Sequence, residues 1–127
     1  MITRGAKLDD HFQHPRNVGS FAAGAPGVSV GEVGSTAEGV LIQLGLMREG
    51  GRVVAARFRA FGCGHTIACC SWLTEWVVGK SLAESSELAS ATLVLGLGLE
   101  PDKAASAEWA VRALRAALRI GAAKGVE

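Results

Sequence analysis

Two apolar runs separated by a short polar loop predict a β-hairpin in the middle of the chain. The runs are Val40 to Met47 and Arg52 to Phe61, and the loop between them, residues 48–51, ends in two glycines. Within the second run Val54, Ala56, Phe58 and Ala60 alternate with Ala55, Arg57 and Arg59. A period of two is typical of a strand that buries one face.

Upstream of the hairpin, glycines alternate with valines from Val28 to Gly34. This pattern predicts a thin edge strand, because glycine weakens a strand and leaves little side chain to pack. The next five residues, Ser35 to Gly39, predict a flexible loop that could approach a ligand closely.

Helical patterns lie on both sides of these strands. Residues 8–14 predict a short helix that ends before Pro15, because proline has no amide hydrogen and restricts the residue before it. Residues 65–78 predict a longer helix with Ser71 and Glu75 on its polar side. The apolar face of that helix, at about 100° per residue, consists of Cys69, Cys70, Trp72, Leu73, Trp76 and Val77.

The rest of the chain is also mainly helical in pattern. Ser81 is a predicted N-cap, and Glu84 three residues later completes a capping box. The apolar run from Thr92 to Leu99 fits either a helix or a strand. Pro101 suits the first turn of a C-terminal helix whose apolar stripe is Ala107, Ala110, Val111, Leu114, Ala117 and Leu118. Strands followed by helices predict an α+β fold, a small antiparallel sheet packed against helices.

The composition fits a single domain over residues 1–127. Of the 127 residues 49% are hydrophobic and 20% are charged, which is enough apolar material for one core. The formal net charge of +1 gives no electrostatic reason to expect nucleic acid or an acidic membrane as a partner. The longest uncharged apolar stretch is about half of the roughly 20 residues that a spanning helix needs. Acidic residues precede any apolar run near the start, so a cytoplasmic, reducing location is expected.

Three cysteines, Cys63, Cys69 and Cys70, lie close together in the sequence. An odd number of clustered cysteines predicts free thiols or metal-bound thiolates rather than disulfides. Cys63 lies between Gly62 and Gly64 at a predicted strand-to-helix junction, where helix amides favour an anion. The position therefore favours a thiolate, the form that binds metals and attacks electrophiles. The alternative is an unreactive cysteine in a glycine turn.

The residues around Cys63 have weaker indications. Cys69 lies in the middle of the apolar helix face, which core packing explains more readily than ligation. Cys70 lies nearer the rim of that face and could turn toward Cys63, although packing explains it more readily. His65 could supply a nitrogen ligand or could be a solvated histidine near a helix start.

No enzyme signature accompanies these thiols. His11 and His14 lie far upstream, so a cysteine nucleophile has no clearly placed base and orienting carboxylate. The Gly96-x-Gly98 pair lacks the third glycine of a dinucleotide site, and no phosphate-binding loop or nucleophile elbow occurs. The sequence therefore predicts a protein that is not an enzyme.

Three ordered segments carry a family likeness. They are Asp10-His11-Phe12-x-x-Pro15-Arg16-Asn17-Val18-Gly19-Ser20-Phe21, Ala56-Arg57-Phe58-x-x-Phe61-Gly62-Cys63-Gly64-x-x-Ile67-Ala68 and Ser71-x-Leu73-Thr74-Glu75-Trp76-Val77-x-Gly79-Lys80-Ser81-Leu82. Together they resemble the iron–sulfur cluster scaffold family of IscU and the N-terminal domain of NifU. The resemblance implies a three-stranded antiparallel sheet packed under helices. It also implies a site of three cysteines and an aspartate that receives iron and sulfide and passes the cluster to acceptor proteins.

Most positions that align with that ligand set are changed in this chain. The family's Cys-Gly-Asp loop aligns with Glu38-Gly39-Val40, and its His-Cys pair aligns with Ala105-Ser106, whereas the central cysteine matches Cys63. Clusters are usually held by thiolates, so one thiolate per chain cannot hold a conventional cluster. The resemblance leaves three routes to binding: Glu38, Cys63 and Ser106 acting together, substitution by Cys69 or Cys70, or Cys63 contributed by several subunits.

Three functional hypotheses follow from the resemblance. The first is a divergent scaffold or carrier for an iron–sulfur cluster or related metallocluster, with Cys63 as the retained ligand or persulfide acceptor. The second is a scaffold-like protein that binds a cysteine desulfurase or a cluster acceptor without carrying a cluster. A homo-oligomer is the expectation of the route in which several subunits contribute Cys63. The third is a single iron or zinc ion held by Cys63, Glu38 and His65.

Overall fold

The computed structural model describes residues 6–22 and 24–119 of the chain and shows the predicted α+β arrangement. The helices are α1 (Ala6–Gln13), α2 (Gly64–Val77), α3 (Leu82–Ser86), α4 (Ser90–Leu97) and α5 (Ala104–Arg119). The strands are β1 (Val28–Ser35), β2 (Val40–Glu49) and β3 (Arg52–Phe61). Two single 3₁₀ turns, Thr36–Glu38 and Pro101–Lys103, complete the elements. In the part of the chain that the structure describes, no helix is both long and apolar enough to span a membrane.

The three strands form one antiparallel sheet in the order β1-β2-β3. The predicted hairpin is confirmed, but its loop is shorter than the sequence indicated, because pairing continues to Glu49 opposite Arg52. Gly50 and Gly51 alone make the turn, with φ angles of 61° and 77°. Two consecutive positive φ angles match the twist of the flanking strands and favour glycine at both positions.

One face of the sheet is covered by helices and contains the core. Ile42, Leu44 and Leu46 of β2 are fully or almost fully buried, as is Phe58 of β3. The predicted stripe of α5 packs on this face, and five of its six residues are buried, with Leu118 packed at the margin. Burying these side chains is the main stabilising contribution to the fold.

The strand β1 contacts the backbone of α5 directly at Gly31. A Cβ atom built on Gly31 would overlap Ala117 N, and it would also crowd Ala116 C at 2.7 Å. Only a residue without a side chain allows this approach. Near the same end of α5, the Arg48 guanidinium donates to the carbonyl oxygens of Ala117 (2.8 Å) and Leu118 (3.1 Å). These two bonds join the C-terminal part of α5 to β2.

The surroundings of α2 differ from the sequence prediction. Ser71 was expected on a polar, outward side, but it is fully buried beneath α1, and Thr74 is buried as well. The hydroxyl of Ser71 forms a 2.6 Å hydrogen bond with His11 Nδ1. A single apolar stripe predicts one covered helix face, whereas α2 is covered by the sheet and α5 on one side and by α1 on another. Trp72, which the sequence places on the apolar face, is only partly buried.

The segment after α1 ties α2 to β3. The backbone N–H of Arg16 donates to Ser71 Oγ at 2.9 Å, and Asn17 Nδ2 donates to Thr74 Oγ1 at 3.1 Å. The carbonyl of Asn17 accepts a hydrogen bond from the N–H of Phe58 at 2.9 Å. This segment therefore fixes α2 against the strand that leads into Cys63.

The ambiguous apolar run before the last helix is helical. It forms α4, which begins at Ser90, two residues earlier than the start of the run, and ends at Leu97, with Gly98 as its C-cap at a φ of 74°. Gly98 N–H donates to the carbonyl of Val94 at 2.9 Å, as in a left-handed helix cap. The predicted capping box of Ser81 and Glu84 is also confirmed.

Candidate functional site

Cys63 lies where the sequence placed it, between the end of β3 and the start of α2. It occupies the N-cap position with an extended backbone, φ −76° and ψ 168°, and its residue is exposed. Its side chain makes no capping hydrogen bond, so the sulfur is available to other groups. The first amide groups of α2 have no intrahelical acceptor and carry the positive end of the helix dipole.

Two hydroxyl groups surround the sulfur of Cys63. Thr66 Oγ1 lies 3.6 Å from Cys63 Sγ, and Ser106 Oγ lies 3.8 Å from it. The two hydroxyl oxygens are 3.4 Å apart, so the three atoms form a closed triangle. Thr66 belongs to the first turn of α2, and Ser106 belongs to the first turn of α5. Both residues are buried, which makes this a built arrangement and not a surface coincidence.

The environment favours the thiolate form of Cys63. Partial burial alone would raise the pKa of the thiol, because an ion loses hydration. Hydrogen bonds from Thr66 and Ser106, together with the backbone of Thr66 and His65, outweigh burial and lower the pKa below its ordinary value of 9.0. When the sulfur is ionised, both hydroxyl hydrogens can point toward it, since each hydroxyl has one rotatable donor.

The other two cysteines lie in the core. Cys69 is fully buried, and burial raises its pKa to about 12, with a smaller contribution from the nearby Cys63. Cys70 was expected near the rim of its helix face, and this prediction is wrong: the residue is 2% exposed, and burial raises its pKa strongly. Both side chains are therefore thiols at neutral pH, packed among apolar residues. Their burial argues against the route in which Cys69 or Cys70 joins Cys63 on a cluster.

Glu38 and His65 do not complete a metal site in this arrangement. Glu38 lies in the exposed 3₁₀ turn between β1 and β2, where its carboxylate accepts a 3.3 Å hydrogen bond from Ser35 Oγ. His65 is half-buried and lines a pocket beside Phe12 of α1. Across residues 6–22 and 24–119, no three His, Cys, Asp or Glu side chains form a group that could hold a metal ion. The single-ion hypothesis with Cys63, Glu38 and His65 therefore lacks its geometry here.

Of the proposed companions of Cys63, the structure brings only Ser106 to the sulfur by hydrogen bonding. It adds Thr66, which the sequence analysis did not consider. A signal for Thr66 was present, because the third helical residue faces the N-cap residue, as in a capping box. No local pattern could have revealed Ser106, which is 43 residues away from Cys63 along the chain.

The burial of the thiols predicts a simple count of reactive groups. In native protein one thiol is expected to react with a small thiol reagent, and all three are expected to react in denaturant. A Cys63→Ala variant is expected to show no fast-reacting thiol while it is folded. The measurement is a time course of absorbance with a disulfide reagent at neutral pH. Rapid reaction of two or more thiols in native protein would contradict the placement of Cys69 and Cys70 in the core.

Comparison with known families identifies one match that spans almost the whole chain. The model of the NifU-like N-terminal domain matches residues 4–124. Among curated proteins, the iron–sulfur cluster assembly scaffold protein IscU of Buchnera aphidicola from Acyrthosiphon pisum is 40% identical over 113 residues. That alignment covers 88% of this chain and 89% of the relative. The iron–sulfur cluster assembly enzyme IscU of Drosophila melanogaster is 40% identical over 110 residues. That alignment covers 86% of this chain and 71% of the relative.

Solved structures show the same fold at lower sequence identity. A NifU-like N-terminal protein from Brucella abortus superposes with a TM-score of 0.73 at 16% identity, covering 91% of both chains. A putative iron–sulfur cluster assembly scaffold from Fervidobacterium islandicum superposes with a TM-score of 0.70 at 16% identity. The latter alignment covers 90% of this chain and 95% of that one. The architecture is therefore shared across distant sequences.

Proposed function

This chain belongs to the family of NifU-like N-terminal domains, and from that premise we propose that it acts in iron–sulfur cluster assembly with Cys63 as the cargo-binding residue. The observation that carries the proposal is the triangle of Cys63, Thr66 and Ser106 on an exposed helix start. An accessible, hydrogen-bonded thiolate is the form that ligates iron or accepts sulfur. Relatives near 40% identity carry the names of iron–sulfur cluster assembly proteins.

The donor set within one chain does not fit a complete cluster. Cys63 supplies one thiolate, while Thr66 and Ser106 supply neutral hydroxyls, which are poor ligands for cluster iron. The other two thiols are buried in the core. We propose that the remaining ligands come from outside the chain, from Cys63 of a second copy or from a bound partner such as a cluster acceptor.

The same thiolate also suits sulfur transfer from a cysteine desulfurase. In this step the Cys63 thiolate attacks the outer sulfur of a donor persulfide. A new S–S bond forms at Cys63, the S–S bond of the donor breaks, and the donor cysteine leaves as a thiolate. No further oxidant or reductant is needed. The two hydroxyls near the sulfur stabilise the attacking anion before the step.

Anaerobic reconstitution tests the proposal directly. Protein incubated with iron and sulfide, then desalted, is expected to retain iron and visible absorption in the wild type and to lose both in Cys63→Ser. Cys70→Ala is the matched control, because it removes a core thiol and leaves Cys63 in place, and it is expected to retain iron as the wild type does. Iron retention that is unaffected by Cys63→Ser would refute the assignment.

A second candidate is a protein that binds assembly partners without carrying cargo. It is favoured by the scarcity of ligands, since Cys63 is the one exposed cysteine among the three. In that case reconstitution fails even for the wild type, while a desulfurase or acceptor protein is captured equally by wild type and Cys63→Ser. Capture that needs Cys63 would exclude this candidate.

A further inference from the structure

Within residues 6–22 and 24–119, no helix or strand covers the centre of the sheet face opposite the helices. Its side chains come from alternate residues of each strand, and the strand register aligns them in rows. Two shallow pockets occupy this face, one lined by Leu41 and Phe61 and the other by Phe21 and Val30, and Gln43 lines both. Phe61 is 54% exposed and Val30 is 41% exposed, although both are large apolar residues.

The central row of this face carries opposite charges at its two ends. Glu32 of β1 pairs in register with Gln43 of β2, and Gln43 pairs with Arg59 of β3. Neighbouring strands are about 4.8 Å apart, so the two charged residues are separated by about twice that distance at the backbone. Neither Glu32 nor Arg59 forms an ion pair with any other residue in the described ranges 6–22 and 24–119.

The rows on either side of the charged row are apolar in part. On one side, Leu41 and Phe61 lie in register with Gly34, which adds no side chain to the row. On the other side, the Phe21 ring fills the space above Gly45, and Phe21 Cδ2 lies 3.0 Å from the place that a Cβ atom on Gly45 would take. The Arg57 guanidinium lies 5.2 Å from the centroid of the same ring. The face thus combines an apolar surface with the carboxylate of Glu32 and two guanidinium groups, those of Arg59 and of Arg57, which lies over the Phe21 ring.

We propose that this open sheet face binds a second copy of the chain in a two-fold dimer, with Glu32 opposite Arg59 of the partner subunit. The two-fold axis runs parallel to the strands, midway between the two facing sheets. Rotation about this axis places β1 of one copy opposite β3 of the other copy. It leaves the position of each residue along the strand direction unchanged. Each Glu32 then faces Arg59 of the partner subunit, and this ion pair forms twice in the dimer. Isologous contacts of this kind need a self-complementary surface, and a row that runs negative, neutral, positive meets that condition.

The same operation accounts for the apolar row of Gly34, Leu41 and Phe61. Phe61 of one copy lies over the position of Gly34 in the other, where the missing side chain leaves room for an aromatic ring. Leu41 meets Leu41 of the partner subunit near the axis, and Gln43 meets Gln43 of the partner subunit. Facing sheets pack about 10 Å apart with their strands within about 30° of each other, which this arrangement allows. Because the axis preserves strand direction, both Cys63 residues lie at the same end of the dimer.

Charge reversal in the purified full-length protein provides the test. Sedimentation velocity over a range of protein concentrations is expected to show a monomer–dimer equilibrium for the wild type. Glu32→Arg and Arg59→Glu, made singly, are each expected to weaken dimerisation by about tenfold or more, because like charges then meet twice. The double variant Glu32→Arg/Arg59→Glu restores opposite charges and is expected to recover most of the affinity. Glu87→Arg, which reverses an exposed charge at the C-cap of α3, is the control and is expected to leave the dimer affinity unchanged.

Two outcomes overturn the proposal. A wild type that stays monomeric at all concentrations shows that the face is solvated or binds another molecule. A dimer that tolerates both single reversals lies on a different surface. Circular dichroism of each variant separates loss of association from loss of folding, since all three positions are exposed. The dimer does not depend on metal, so apo protein suffices and the result is independent of cluster binding.

Discussion

Gly31→Ala is expected to destabilise the folded chain by about 3 kcal/mol or more, because the added methyl overlaps the backbone of α5. The obstructing atoms are Ala117 N, Ala117 Cα and Ala116 C, which cannot move as a flexible side chain would. To remove this overlap, α5 has to shift away from β1. The shift opens space between the sheet and the buried apolar face of α5. Lost close packing then adds to the steric cost.

Equilibrium unfolding in urea measures this effect. The denaturation midpoint is expected to fall with little change in slope, as for a variant that is less stable but equally compact. Val30→Ala, one residue away on the open face, is the control and is expected to change the free energy of unfolding by less than about 1 kcal/mol. If Gly31→Ala were as stable as the wild type, α5 would not lie against β1 as described.

Above pH 9 the free energy of unfolding is expected to fall by about 1.4 kcal/mol per pH unit for each buried thiol. In the folded protein burial holds the pKa of Cys69 at about 12, and burial raises that of Cys70 as well, whereas an unfolded thiol ionises near 9.0. Between these values the unfolded chain releases protons that the folded chain retains. The stabilising contribution is therefore complete below pH 9 and is lost as the pH rises.

The measurement is a series of urea titrations between pH 8 and pH 10.5 under reducing conditions. The chain contains no tyrosine, so phenol ionisation does not complicate this range. The double variant Cys69→Ala/Cys70→Ala is the control, and its stability is expected to depend much less steeply on pH, whatever its absolute value. Cys63 has the opposite effect on the pH dependence of the free energy of unfolding, because its pKa is lowered in the folded protein. Its contribution to stability is present above pH 9 and is lost as the pH falls. Parallel pH dependences for wild type and double variant would contradict this account.

The sequence by itself determined the fold class and the position of Cys63 between a strand and a helix. Alternation along Arg52 to Phe61, the paired glycines just before that run and the stripe of α5 are local patterns. Each of them predicts its own strand, turn or helix. The location of Cys63 was equally local, since a glycine on each side marks a strand that passes into a helix. Such features depend on neighbours within a few residues, which the sequence displays directly.

What only the tertiary structure decided is which side chains meet. Ser71 was misplaced because its covering helix lies 60 residues upstream, and Cys70 was misplaced because its helix is covered on more than one side. The pairing of Cys63 with Ser106 and the charged row of Glu32, Gln43 and Arg59 depend on register and packing. Contacts between distant segments arise from burial summed over the whole core, and no single stretch of sequence encodes that sum.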